Sequence, residues 1–82
     1  MNIQAEIEKF ILEDLLSGSR SSIAADEQLF STGTLDSLGT LRLITFLEER
    51  FGLQIKDGEL GDDNFATVNN IKAFVEKKLA AG

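Results

Sequence analysis

The chain has no cysteine, no histidine, no proline, no tyrosine and no tryptophan. Without cysteine there is neither a disulfide framework nor a thiolate metal site. Without histidine the commonest general base and the commonest metal ligand are both missing. Without proline, helices meet no ring that breaks them. The 6 aromatic residues are all phenylalanine, which suits a core and offers little surface for stacking bases. Positive charge is also scarce, and the formal net charge is −6. Binding nucleic acid depends on neutralising phosphates with Lys and Arg, so so acidic a chain is a poor nucleic-acid partner. It is equally unsuited to an anionic membrane surface. Proteins with basic patches are better partners, reached quickly through electrostatic steering.

No apolar run is long enough to span a bilayer, and Glu6 and Glu8 stand where a secretory leader would be basic. The expectation is a cytoplasmic protein. Its 82 residues make one domain, 1–82, with one core, small but able to fold without staples.

Four segments carry the pattern. Residues 2–16 place Ile3, Ile7, Phe10, Ile11 and Leu15 at helical spacing, and Ser17-Gly18-Ser19 stops them. Residues 17–36 form a long polar loop, pinned by Ile23 and by Leu29-Phe30, with a helical turn expected at Asp26 to Phe30. Residues 37–51 form the second helix and end at Gly52. Leu38, Leu41, Ile44, Leu47 and Phe51 make one face, and Leu43 and Phe46 widen it. An arc this wide reads first as a central helix buried against two neighbours. Its other reading leaves part of the arc for a partner or a tethered group. A short turn at Asp57 to Leu60 and a last helix over 67–80, capped by Thr67, complete the chain. The expected fold is all-α, a small four-helix bundle of three main helices and one short one.

The chemistry centres on Gly33-Thr34-Leu35-Asp36-Ser37-Leu38, where a polar loop becomes an apolar helix. Ser37 falls at or beside the helix start, near backbone N–H groups that lack intrahelical partners and favour a phosphate. As a nucleophile Ser37 has no histidine to take its proton, and Asp36 beside it is a carboxylate, a poor base near neutrality unless buried. The acids at Asp57, Glu59, Asp62 and Asp63 lack the spacing of a calcium loop, so no metal site is expected. The chain therefore reads as no enzyme. Ser37 reads instead as a substrate for another enzyme, or as an ordinary cap in an acidic helical interaction module that binds through Leu43 and Phe46.

Asp36-Ser37-Leu38, with Gly33 ahead and an apolar helix ending in Leu47-Glu48-Glu49-Arg50-Phe51 behind, resembles the attachment motif of acyl and peptidyl carrier proteins. The resemblance runs from the first helix to Val68-Asn69-Asn70-Ile71. It implies a 4'-phosphopantetheine arm on Ser37, added by a phosphopantetheinyl transferase, whose thiol holds an acyl or aminoacyl group as a thioester. It further implies that Asp36 assists the transferase near its metal, and that Leu38 is a contact for partners. Thr45, Glu48 and Glu49 would lie on the exposed, partner-facing side of the helix. An adenylating ligase and downstream transfer enzymes are the implied partners of a carrier acting as a monomer. Fatty-acid-synthesis carriers usually have acids where this chain has Gly39 and Arg42. It looks closer to freestanding carriers that serve adenylating enzymes, including peptidyl and D-alanyl carriers. Phe46 and Phe51 are placed to fill the space between helices, which favours a small cargo kept outside.

Overall fold

Asn2 opens the first helix, its side-chain oxygen accepting the Ala5 amide at 3.0 Å. The computed structural model describes residues 2–81 and is wholly helical in its regular parts. Helix α1 (Ile3–Phe10) runs directly into a π-helical turn (Ile11–Leu15), where the Leu16 amide reaches the Ile11 carbonyl. Helix α2 spans Ser37–Phe51, a 3₁₀ turn Asp57–Glu59, α3 Asp62–Phe65 and α4 Val68–Ala81. Among the described residues there is no strand. The architecture is the expected small four-helix bundle.

Three features depart from the expectations. The first helix is α only to Phe10 and π beyond it, ending where Ser17 and Gly18 both take left-handed backbone at φ 52° and 76°. The short helix is α3, C-terminal to the expected turn, which forms as 3₁₀. No helix forms at Asp26 to Phe30; separate hydrogen-bonded turns stand there instead, the Glu27 amide reaching the Ala24 carbonyl and the Thr32 amide the Gln28 carbonyl, both at 3.1 Å.

The core gathers Ile7 and Ile11 of the first helix, Leu43, Leu47 and Phe51 of α2, Phe65 of α3, and Val68, Ile71, Phe74 and Val75 of α4. Helix α4 packs against the other three helices. Thr67 caps it as expected, accepting the Asn70 amide at 3.1 Å. The long first loop is held without regular structure. Ile23, Leu29 and Leu35 are buried in the core, and Leu29 donates its amide to Ala66 at 2.8 Å. Arg20 grips Glu27 through two 2.7 Å hydrogen bonds, closing the loop's outer edge. Phe30, expected inside with Leu29, is 36% exposed.

The facing of α2 corrects the apolar arc. The buried stripe is Gly39, Leu43, Leu47 and Phe51, residues four apart along one face. Leu38 and Leu41, expected on the core face, are 66% and 60% exposed. The arc is too wide for one packed face, and its outer leucines are left in solvent.

Candidate functional site

Gly33, at φ 79°, turns the chain toward the start of α2 in a conformation that favours glycine. Thr34 and Leu35 are buried, so the approach to the helix is anchored in the core. Asp36 follows in extended backbone and caps α2. Its Oδ1 accepts the Gly39 amide at 2.7 Å, and its carbonyl accepts the Thr40 amide at 2.8 Å and the Thr40 hydroxyl at 2.7 Å. Gly39 lies so close that a Cβ there would stand 3.1 Å from Asp36 Oδ1.

Ser37 is the first helical residue and is exposed. Among the described residues its hydroxyl has no hydrogen-bond partner. Capping falls to Asp36, so the reading of Ser37 as the helix cap is corrected. The Ser37 and Leu38 amides belong to the first turn, where N–H groups have no intrahelical acceptor and the helix dipole favours an anion.

An open groove of about 450 Å³ lies beside the serine. Asp36, Ser37 and Thr40 form its polar edge, and Phe30, Leu41, Ile44 and Leu60 its apolar walls. Phe46 and Phe51, expected to fill the space between helices, pack against the core and do not line this groove. Phe46 stacks on Phe10 with ring centroids 4.3 Å apart and meets Phe51 edge-on at 6.2 Å. The interior beneath α2 is filled by Leu43 and Leu47.

The remaining sequence-predicted residues divide. Thr45 and Glu49 are exposed and line a groove between α1 and α2. Glu48 is half-buried, and its Oε2 accepts the Ile55 amide at 3.0 Å. Its carboxylate pins the segment after α2 and is not presented with Glu49. The sequence carried no sign of this, because the amide that donates to Glu48 lies past a glycine turn. Leu41, expected on the core face, is a further exposed residue on the serine's groove.

No base stands ready for chemistry at Ser37: the neighbouring carboxylate is engaged in capping, and the chain contains no histidine. Among the described residues, no three His, Cys, Asp or Glu side chains cluster in a way that would hold a metal ion. A small helical bundle that displays an exposed hydroxyl at the start of its second helix has the form expected of a carrier.

Comparison with known proteins gives the family. The phosphopantetheine attachment site family matches residues 9–75. A D-alanyl carrier protein of Streptococcus sanguinis is 42% identical over 71 residues, covering 87% of each chain. That of Streptococcus gordonii is 39% identical over 71 residues with the same coverage. That of Streptococcus suis is 40% identical over 75 residues, 92% of this chain and 87% of its own. The chain belongs to the phosphopantetheine-binding carrier protein family. It is not an enzyme: it holds an acyl or aminoacyl group on a 4'-phosphopantetheine arm for partner enzymes. Among the described residues no helix is long and apolar enough to cross a membrane.

Proposed function

We propose that Ser37 is the attachment point of the arm and that the cargo is a D-alanyl group, as the names of the relatives indicate for those proteins. The observation that carries the site is the division of labour between neighbours. Asp36 Oδ1 takes the capping bond to Gly39, so the exposed Ser37 hydroxyl is left for another enzyme. The residues fit the group: a free hydroxyl, two first-turn amides favourable to a phosphodiester, and an apolar groove alongside.

In loading, Ser37 Oγ attacks the phosphorus that bears pantetheine in coenzyme A. The new Oγ–P bond forms as the pyrophosphate bond breaks, adenosine 3',5'-bisphosphate leaves, and the serine proton passes to a base of the transferase. Once bound, the arm supplies the thiol that this cysteine-free chain lacks. Asp36 uses Oδ1 for the capping bond, and its Oδ2 would be free to meet the transferase's cation. Leu38 and Leu41, exposed beside the serine, give partners an apolar contact, with Thr45 and Glu49 further along α2. The loading enzymes are a phosphopantetheinyl transferase and an amino-acid-adenylating ligase, followed by an enzyme that accepts the aminoacyl group. Coenzyme A is an intracellular metabolite, which supports a cytoplasmic carrier. We take residues 1–82 as one carrier domain acting as a monomer.

Intact mass tests this reading. Incubation with coenzyme A and a broad-specificity transferase adds one arm to the native chain and none to Ser37→Ala. A Ser37→Ala protein that still gains the arm overturns the site. A folded native chain that gains nothing leaves Ser37 without this role.

A further inference from the structure

We propose that Glu48 and Glu59 form a latch that holds residues 53–61 to α2 and α4, and so confines this carrier to short cargo kept outside the core. The inference rests on the arm standing at Ser37. The groove beside the serine has Leu41 and Ile44 of α2 on one side and Leu60 on the other. Ile44 and Leu60 both pack onto the core cluster, in which Leu43, Leu47 and Ile71 are fully buried. A chain longer than the groove reaches that core by parting Ile44 from Leu60.

Two carboxylates oppose the parting. Glu48, on α2, accepts the Ile55 amide at 3.0 Å and ties the near end of the segment to the helix. Glu59, one residue before Leu60, is held from three directions. It accepts the Lys56 amide at 2.9 Å and both of its oxygens accept from Lys78 of α4, at 2.9 and 3.1 Å. Its carbonyl accepts the Asn64 side-chain amide at 2.8 Å, which ties it to α3. The Lys78 ammonium lies over the Phe74 ring at 5.9 Å, so the basic partner is itself seated. The segment is thus tied to α2 at Ile55 and, beside Leu60, to α3 and α4 at Glu59. A short aminoacyl thioester makes no demand on these bonds, whereas a long acyl chain must break them to enter.

The test loads two arms of different length, from acetyl-coenzyme A and octanoyl-coenzyme A, with a transferase that accepts acylated coenzyme A. Loading is confirmed first by mass. Absence of any arm overturns the attachment reading and is distinct from failure of the latch. In the loaded native protein, octanoyl shifts amide resonances of groove residues only. In Glu48→Ala/Glu59→Ala, octanoyl also shifts the amides of Leu43, Leu47 and Ile71, while acetyl leaves them in place. General loosening of the fold would move them with either arm. Lys78→Met keeps a long unbranched side chain on α4 and removes the ammonium that grips Glu59. It gives the same chain-length dependence at smaller amplitude, and serves should the double variant fail to fold. Core shifts with octanoyl in the native protein, or octanoyl shifts confined to the groove in both variants, overturn the proposal.

Discussion

Leu41 and Leu43 stand two residues apart on α2 and face opposite ways, Leu41 60% exposed and Leu43 fully buried. Two residues advance a helix by more than half a turn, so only one of the pair can share the core stripe. Leu43→Ala is expected to destabilise the fold by about 3–4 kcal/mol, in the range of buried leucine deletions. Leu41→Ala is expected to stay within about 0.5 kcal/mol and to weaken partner enzymes instead. Urea melts of the two variants check the contrast; equal losses would place Leu41 in the core. The contrast also removes Leu43 as a surface contact for an adaptor.

Asp36 has a structural and a proposed chemical role, and two substitutions separate them. Asp36→Ala loses the bond to Gly39 and costs about 1 kcal/mol, as helix caps do. Asp36→Asn keeps an oxygen for that bond and retains most of the stability while losing the charge. If the charge serves the transferase, both variants accept the arm slowly. An Asp36→Asn protein loaded at the native rate would leave Asp36 with capping alone.

Gly52 ends α2 at φ 69°, with open space where a Cβ would stand. Gly52→Ala therefore meets no clash, only the backbone cost of left-handed geometry, about 1 kcal/mol. Thermal melting reads that loss, and arm uptake is unchanged because Ser37 lies at the far end of the helix. A variant as stable as the native chain would show that the turn relaxes to another conformation.

Glu27 is held below its ordinary value of 4.5, first by the hydrogen bond from Arg20 and then by that residue's charge. A carboxylate depressed in the folded state stabilises above its unfolded pKa and loses that contribution as pH falls through the folded value. The window therefore opens below pH 4.5. Native protein and Arg20→Gln are expected to differ in Tm at pH 7 and to converge as acid is added below the ordinary glutamate value. A gap that persists to the bottom of the titration would assign Arg20 another role.

Much of this architecture was legible because it is local. Gly52 and Thr67 mark helix ends through bonds and dihedrals spanning a few residues, and both stand where the sequence puts them, while the cap of α2 falls one residue before the serine, on Asp36. The serine's corner was legible for the same reason. What was hidden depends on the rest of the fold. Five residues are too few for a π turn to show its longer period against an α pattern, so Ile11–Leu15 reads as ordinary helix. Asp62–Phe65 is too short to carry a periodic signal. Periodicity allows Leu47 and Phe51 to share the core face with Leu38 and Leu41 or with Leu43, and packing against the other helices decides. Glu48 reads as a surface acid until the chain folds back to bring Ile55 beneath it.

The corner that bears Ser37 is anchored by buried Leu35 on one side and by Asp36 and Thr40 on the other. With the arm in place, this makes the domain a fixed pivot and leaves all the reach to the tether. A group on a short flexible tether experiences an effective concentration on the order of millimolar at a docked partner. An accepting enzyme then needs little grip on the amino acid itself. Discrimination can shift to the carrier's surface, and a cargo too small to be recognised in free solution is delivered by the identity of the protein that holds it.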